Sequence, residues 1–331
     1  MPTSDCISTG RLAAPAEVAR LVAAAQARFK SNDEGRVADY IPALAQVPGQ
    51  LFGICLAGVS GTCFTAGDAD REFTLQSISK PFVFALICQA IGDEEARQRL
   101  GVNSTGLPFN SVIAVERGDD GMTNPMVNAG AIATTSLAPG ATAEAQWQFI
   151  QDGLSRFAGR ALLIDDAVYQ SEAAANQRNT GIAKLLQSYD RIYSDPVEAT
   201  DIYTRQCSLC VTTRDLAVMA ATLANGGVNP VTGEPVIAPD LCRRILAVMV
   251  TAGLYEHSGD WLYDTGLPGK SGVSGGLITV APGKGGLATF APLLDPAGNS
   301  VKGQLTAQFL SEQLGLNLFA SRPCQAGQCG P

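Results

Sequence analysis

Apolar residues recur at helical spacing near the start of the chain, where residues 15–30 read PAEVARLVAAAQARFK with a proline at the beginning. This pattern predicts a helix. Two short apolar segments follow, LFGICLAG from Leu51 and TCFTAGD from Thr62, with VSG between them. They predict two strands joined by a tight turn. The alternating stretch FTLQ at 73–76 predicts a third strand.

The pattern becomes almost entirely helical from residue 77 to about residue 253. Each helical segment is bounded by capping residues or by glycine and proline; the last begins at Thr212 and Thr213 and closes on Gly226 and Gly227, as helix ends prefer. The segments are NPMVNAGAIATTSL, AEAQWQFIQDGLSRFAG, NQRNTGIAKLLQSY, DPVEATDIYTRQCSLCV and TTRDLAVMAATLANGG.

Strand patterns return after residue 268. KSGVSGGLITVAPG and GGLATFAPLLD alternate around glycine-rich turns, and QLTAQFLSEQLGLNLF predicts a closing helix. We therefore expect one sheet built from both chain ends, carrying an inserted helical subdomain. The sheet part covers about 1–76 and 254–331, and the helical part about 77–253. A cleft between them is the natural place for a site.

Composition narrows the possible functions. Among 331 residues, 46% are hydrophobic and 16% are charged, with a net charge of -8, which is typical of a globular protein and disfavours nucleic acid as a partner. We find no basic amphipathic helix for a membrane surface, no run of 18 apolar residues and no basic, apolar signal segment. Nine cysteines without an export signal indicate a reducing, cytoplasmic environment.

The cysteines raise the question of metal or redox chemistry. Cys207 and Cys210 form a CSLC motif without a second pair at zinc-finger distance, so we interpret them as ordinary buried thiols. Cys324 and Cys329 lie in a glycine-rich tail and could form a surface disulfide or a metal clip; a mobile tail is the preferred interpretation. The remaining apolar-segment cysteines predict core thiols: Cys55, Cys63, Cys88 and Cys242.

Ser77 and Lys80 stand three residues apart where the apolar helical run begins. Residues i and i+3 share a helix face, so both side chains would enter the same space. A serine needs a base to act as a nucleophile; the chain has a single histidine, His257, and a buried lysine with a lowered pKa is an alternative base. A capping serine followed by a solvated lysine would give the same tetrad. The KSG at 270–272 opens a strand, as the K-T-G element does in penicillin-binding enzymes.

These motifs together resemble the serine-dependent glutaminases, which share the β-lactamase fold. The resemblance extends from about Asp39 to Pro282 and implies an antiparallel sheet within an α/β (α+β sandwich) fold and a single catalytic domain over 1–331. It rests on seven blocks in order: DYIPALA, QSISKPF, NPMVNAGAI, SEAAANQRN, IYTRQCSLCVT, LYEHSGDW and GLPGKSGVSGG.

The resemblance implies a role for each matching residue. Ser77 would be the nucleophile and Lys80 its base, with Tyr255 assisting as acid or base, Tyr40 lining the pocket, and the backbone N–H groups of Ser77 and Val273 holding the oxyanion. Glu172 suits the ammonium of free glutamine, and neutral donors suit its carboxylate. The residues expected to bind the amino-acid end are Gln76, Asn128, Glu172, Asn179 and Tyr203.

The expected activity is hydrolysis of L-glutamine to L-glutamate and ammonia, with no metal or organic cofactor. The resemblance also implies a homo-oligomer, a dimer or tetramer, and gives His257 no role. Two alternatives stay open from the residues: a β-lactamase or peptidase-like hydrolase of the same fold, and a non-catalytic glutamine-binding protein. Ammonia release from glutamine separates them.

Overall fold

The computed structural model of the protein describes residues 11–321, so the Cys324 and Cys329 pair lies outside the described residues. The strands are β1 Gly53–Gly58, β2 Cys63–Gly67, β3 Phe73–Thr74, β4 Cys210–Val211, β5 Gly269–Ser271, β6 Gly276–Ala281 and β7 Gly285–Phe290. The helices are α1 Pro15–Phe29, α2 Ser79–Ile91, α3 Asp93–Leu100, α4 Ile113–Arg117, α5 Asn128–Thr135, α6 Ala143–Ala158, α7 Asp166–Ala174, α8 Gln177–Ser188, α9 Pro196–Cys207, α10 Thr213–Ala224, α11 Pro239–Ala252, α12 Ser258–Thr265 and α13 Val301–Gln313.

The main sheet has five antiparallel strands in the order β2-β1-β7-β6-β5. Its centre joins the two ends of the chain, because β1 pairs with β7 and places Leu56 opposite Leu287. β6 and β7 are buried along their whole length, which explains why they read as nearly continuous apolar segments. The prediction of one sheet built from both chain ends is confirmed.

Helices cover both faces of this sheet. The terminal helices α1 and α13 pack on one face, where Leu21 and Leu310 join Ile54 in an apolar cluster. On the other face α10 lies against β1, β6 and β7. Gly286 permits this close approach, because a Cβ there would stand 2.4 Å from the backbone nitrogen of Ala221. One helix of segment 77–253, α10, therefore packs directly on the main sheet. A single apolar cluster is continuous from the sheet into the other helices of this segment.

The predicted third strand forms at Phe73–Thr74 but lies outside the main sheet. It pairs with β4, with Phe73 opposite Val211, in a separate two-stranded sheet. The almost purely helical prediction for residues 77–253 is thus wrong at 210–211, where the chain is extended after α9 ends. This small sheet ties the segment before α2 to the end of α9, and Leu75 N–H also donates to the Leu209 carbonyl at 2.8 Å.

The closing helix starts earlier than its apolar pattern indicated. α13 begins at Val301, where the Ser300 hydroxyl accepts from Gly303 N–H, and it ends at Gln313. Residues 314–319 of the predicted helix are therefore not part of it. Within residues 11–321, no helix combines the length and the apolar character required to span a membrane.

Candidate active site

Ser77 and Lys80 meet at the start of α2. Ser77 lies in a 3-10 turn, Gln76–Ile78, directly before the α-helix, and Lys80 lies in the helix's first turn. The Lys80 Nζ donates to Ser77 Oγ at 3.0 Å. The expectation that the two side chains share one space is met, although the serine precedes the α-helix. Gln76, just before the serine, has a φ of 50°, a costly conformation for a non-glycine residue that commonly marks a functional site.

Lys80 is held in an apolar environment, because every residue of α2 from Ser79 to Cys88 is buried. Its side chain is 1% exposed, and its second hydrogen bond goes to Asn128 Oδ1 at 2.7 Å. Burial lowers the pKa of Lys80 to about 8, although Cys207 and Glu172 oppose the change. About a tenth of the Lys80 side chains is therefore neutral at pH 7, compared with fewer than about one in a thousand at the ordinary pKa of 10.5, and only the neutral amine can accept a proton.

Tyr255 lies beside this pair, in a 3-10 turn at the end of the loop after α11. Its hydroxyl donates to the Ser271 carbonyl of β5 at 3.1 Å, and its ring packs on Phe109 with centroids 4.6 Å apart and planes tilted by 37°. Burial raises the pKa of Tyr255, and a hydrogen bond with Ser77 opposes this. Tyr255 also has a positive φ, 58°, so strained backbone flanks the serine on two elements.

Lys270, the first residue of the KSG motif, is a second buried lysine at the site, and no catalytic or binding role was predicted for it. Its Nζ donates to the same Ser271 carbonyl at 2.8 Å and lies 4.4 Å from the centre of the Tyr255 ring. Burial, and to a smaller extent the positive charge of Lys80, holds the pKa of Lys270 well below its ordinary value.

A cavity of about 280 Å³ opens in front of Ser77. It collects the five residues expected to bind the amino-acid end of the substrate, whereas Tyr255, which was also expected to contact the substrate, and Lys80 do not line it. Tyr40 stands at the rim and is 57% exposed. The lining consists of Tyr40, Ile41, Gln76, Ser77, Phe109, Asn110, Asn128, Glu172, Ala175, Asn176, Arg178, Asn179, Tyr203 and Val273. Sequence analysis missed Phe109, Asn110, Asn176 and Arg178, although the last two stand inside the quoted SEAAANQRN block.

A chain of side-chain amides connects the lysine to the far wall. Asn128 Oδ1 accepts from Lys80 and, at 3.2 Å, from the Tyr203 hydroxyl. Asn128 Nδ2 donates to Asn179 Oδ1 at 3.0 Å, and Asn179 Nδ2 donates to Asn176 Oδ1 at 2.7 Å. Each amide is thereby fixed in one orientation, which pre-organises the polar wall of the cavity.

Glu172 supplies the only carboxylate among the cavity-lining residues. Its Oε2 accepts from Gln76 Nε2 at 3.2 Å, and no ion pair to it occurs among residues 11–321. Burial raises the pKa of Glu172 to about 7, while the Gln76 hydrogen bond and the charge of Lys80 oppose this. A half-buried acid with no cationic partner is suited to a cationic group of a ligand.

The remaining candidate residues, His257 and the Cys207–Cys210 pair, do not line the cavity. His257 lies 3.7 Å from Asp295 and does not line the cavity. Cys207 is buried, and burial raises its pKa; Cys210 is partly buried on β4. In the part of the chain that the structure describes, no three His, Cys, Asp or Glu side chains form a metal-binding group.

An antiparallel sheet with helices on both faces, and a serine–lysine pair beside a lysine-bearing strand, define the β-lactamase-like class. Comparison with known proteins is more specific. A family model described as Glutaminase matches residues 35–319. The chain is 62% identical to Glutaminase 2 of Yersinia pestis, over 98% of this chain and 97% of that protein. The chain belongs to the glutaminase family.

Solved structures agree with this assignment. A structure of the probable glutaminase ybaS has a TM-score of 0.92 and 46% identity, covering 93% of this chain and all of that one. The Bacillus subtilis glutaminase YbgJ, in a covalent complex with 5-oxo-L-norleucine, has a TM-score of 0.81 and 30% identity, covering 92% of this chain and 99% of that one.

Proposed function

We propose that this protein hydrolyses L-glutamine to L-glutamate and ammonia through an acyl-enzyme on Ser77, with Lys80 as the base. The observation that carries the proposal is the Lys80 amine, buried, with its pKa lowered to about 8, and 3.0 Å from the Ser77 hydroxyl at the floor of a cavity. Membership in the glutaminase family supports the reaction. The covalent complex of the YbgJ enzyme is consistent with a nucleophilic side chain.

In the acylation step, Ser77 Oγ attacks the side-chain amide carbon of glutamine and its proton passes to Lys80 Nζ. The oxyanion is bound by the backbone N–H groups of Ser77 and Val273. Both residues line the cavity. The carbon–nitrogen bond then breaks, and ammonia leaves after taking a proton from Lys80, with Tyr255 assisting the transfer. Water attacks the ester carbon while Lys80 accepts its proton; Lys80 then returns that proton to Ser77 Oγ as the ester carbon–oxygen bond breaks, which releases glutamate and regenerates the serine and the neutral amine.

The amino-acid end of the substrate lies on the opposite wall in this proposal. Glu172, when ionised, binds the α-ammonium, and Gln76 holds that carboxylate in place through its 3.2 Å hydrogen bond. Asn128, Asn179 and Tyr203 offer neutral donors to the α-carboxylate, and Tyr40 lines the same cavity. We further propose that the described sheet and helices act as one catalytic domain, since one apolar cluster is continuous between them. Assembly as a dimer or tetramer and a cytoplasmic location stay predictions.

Ser77→Ala tests the nucleophile. The variant should fold normally and lose ammonia release by up to about 10⁶-fold, as serine nucleophiles do when removed. Ser79→Ala is the matched control, because Ser79 is equally buried two residues away but hydrogen-bonds to Gln206 and does not line the cavity; it should keep activity within about threefold.

A covalent probe gives an independent readout of the same serine. 6-Diazo-5-oxo-L-norleucine should label the peptide containing Ser77 in the wild type, and should not label Ser77→Ala. Retention of a tenth of wild-type ammonia release by Ser77→Ala, or labelling at another residue, would contradict the proposed mechanism. Wild-type protein that binds glutamine without releasing ammonia would indicate a binding protein instead.

A further inference from the structure

Two free cysteines stand side by side on the paired strands β1 and β2, and neither lines the cavity. Cys55 lies opposite Thr65, and Cys63 is two residues from Thr65 on β2. Because alternate residues of a strand share a face, both cysteine side chains point to the same side of the sheet. A hydrogen bond from the Cys55 thiol reaches the Cys63 sulfur. The two sulfur atoms therefore form one cluster, on the face that α10 covers.

The two thiols differ in their access to solvent. Cys55 is 0% exposed on the interior strand β1, whereas Cys63 is only partly buried, because β2 is an edge strand of the sheet. The prediction of a core thiol is therefore met by Cys55 and is wrong for Cys63. A reagent in solution can reach the Cys63 sulfur and cannot reach the Cys55 sulfur.

A cationic side chain also acts on the partly exposed thiol. Arg214 is the second residue of α10, and it pairs with Asp70 at 3.3 Å and hydrogen-bonds to the Cys63 sulfur. The Cys63 thiol itself points to the carbonyl oxygen of Gly61 at 3.9 Å, a weak contact. A guanidinium and a neighbouring S–H donor both favour a thiolate over a thiol, and the thiolate is the reactive form of cysteine.

We propose that Cys63 is a modification site whose sulfur attacks small-molecule disulfides and retains one half of them as a mixed disulfide. This inference goes beyond the proposed hydrolysis of L-glutamine and does not depend on it, since neither Cys55, Cys63 nor Arg214 lines the cavity in front of Ser77.

The acid–base properties of the pair agree with these roles. The hydrogen bond from Cys55, and to a smaller extent the charge of Arg214, lowers the pKa of Cys63 to about 6, although partial burial opposes this. The same hydrogen bond, and then burial, raises the pKa of Cys55. Near neutral pH the accessible sulfur is therefore ionised, while its buried neighbour keeps its proton.

The chemical step is a thiol–disulfide exchange. The Cys63 thiolate attacks one sulfur of a disulfide R–S–S–R, the S–S bond of the reagent breaks, and the other sulfur leaves as the thiolate R–S⁻. One thiolate is consumed and one is released, so no further oxidant is needed. Cys55 does not displace the bound half, because its thiol stays protonated. In addition, diagonal residues of paired strands have Cα atoms about 7–8 Å apart, beyond the usual disulfide limit of about 6.8 Å.

The experiment uses oxidised glutathione as the probe and mass spectrometry of the intact protein and its peptides as the readout. Cys210 is the internal reference, because it too is partly buried on a short strand, but burial raises its pKa to about 11. At pH 7 the thiolate fractions are about 0.9 for Cys63 and about 10⁻⁴ for Cys210, and the more acidic thiolate is the weaker nucleophile. Cys63 should therefore acquire one glutathionyl group about 10- to 100-fold faster than Cys210.

The pH dependence of the reaction tests the two groups that favour the thiolate. In the wild type the rate at Cys63 should be nearly constant from pH 7 to 9 and should halve near pH 6. Arg214→Gln and Cys55→Ala should each move this half-point upward by about one pH unit or more. Arg243→Gln, which removes an exposed arginine of α11 paired with Asp240, is the matched control and should leave the half-point unchanged.

Cys63→Ser should lose the adduct and keep ammonia release from glutamine within about twofold of the wild type. No adduct at Cys63, a rate there no greater than at Cys210, or an unchanged half-point in both Arg214→Gln and Cys55→Ala would overturn the proposal. So would closure of a Cys55–Cys63 disulfide without bound glutathione, because the buried thiol would then have displaced the adduct.

Discussion

Lys80→Met should abolish activity and stabilise the protein at neutral pH. Methionine has nearly the shape of the lysine side chain without its charge, so it preserves the packing of α2. The wild-type lysine has an ordinary pKa of 10.5 when exposed and about 8 in the folded protein. At 1.36 kcal/mol per pKa unit, this difference means that keeping the lysine protonated in the folded state costs about 3 kcal/mol.

The cost has a definite pH dependence. Below pH 8 both folded and unfolded states are protonated, and the folded state bears the whole cost. Between pH 8 and 10.5 the folded state is neutral while the unfolded state still binds a proton, so wild-type stability rises relative to Lys80→Met with increasing pH. Above pH 10.5 the lysine is neutral in both states, so the free-energy cost is gone. The advantage of Lys80→Met should therefore shrink by about 3 kcal/mol between pH 8 and 10.5.

The variant also loses two hydrogen bonds, to Ser77 Oγ and Asn128 Oδ1. Asn128 Oδ1 keeps the Tyr203 hydroxyl as a donor, so the loss is about 1 kcal/mol. The net gain in the free energy of unfolding at pH 7 is then about 1 to 3 kcal/mol. Urea denaturation at half-unit pH steps from 7 to 10.5 measures it. Lys184→Met on the exposed side of α8 is the control and should differ from wild type by no more than about 0.5 kcal/mol.

A stability difference that does not change with pH would refute this account of Lys80. So would a Lys80→Met variant that is less stable than wild type at pH 7 by more than about 1 kcal/mol, because that would mean that the ammonium stabilises the folded state.

Two further predictions concern the catalytic groups. kcat/KM should rise steeply from pH 6 and level off above pH 8. Glu172, with a pKa of about 7, must lose a proton to bind the ammonium, and Lys80, with a pKa of about 8, must lose one to act as base. Because the two groups interact, the two apparent pKa values belong to the pair, and a maximum of kcat/KM near pH 6 would contradict both roles. Glu172→Gln should lower kcat/KM for glutamine by between about 10-fold and several thousand-fold, and should affect Nα-acetylglutamine far less. Equal losses for both substrates would place Glu172 in the support of the fold.

Much of the fold was predictable because local signals agreed with long-range packing. The boundaries of α10 follow from Thr212, whose side chain and Asp215 form a reciprocal cap, and from the glycines after Ala224. The three central strands β1, β7 and β6 were visible because their six-residue apolar segments are buried on both faces. Ser77 and Lys80 were recognisable together because three residues of separation bring side chains to one face whether the turn is 3-10 or α.

What sequence analysis missed depends on contacts between distant segments. β3 and β4 each contain two residues, too few for an alternating pattern, and their pairing joins positions more than 130 residues apart. The amide chain from Lys80 to Asn176 likewise links α2, α5 and the α7–α8 corner. Arg178 looks like any solvated helix residue until the structure shows that it lines the same cavity as Glu172.

Burial of a charged group does not by itself identify a catalytic site in this protein. Lys302 is 2% exposed, lies 5.5 Å from the Phe52 ring, and burial lowers its pKa too. Yet carboxylates at Asp33 and Asp68 oppose that change, and Lys302 does not line the cavity. Its ammonium is partly compensated within the fold, so the protonated form can persist as a structural element.

Lys80 differs because its hydrogen-bond acceptors are a hydroxyl and an amide, and neither compensates its charge. Glu172, whose negative charge favours the protonated form of Lys80, is itself held toward its neutral form by burial, which raises its pKa to about 7. The proposed base and the proposed binding carboxylate therefore belong to one site, and both pKa values are displaced toward neutral pH. Replacing either group by an apolar residue should improve stability, so we attribute the presence of both buried ionisable groups to the chemistry proposed at Ser77.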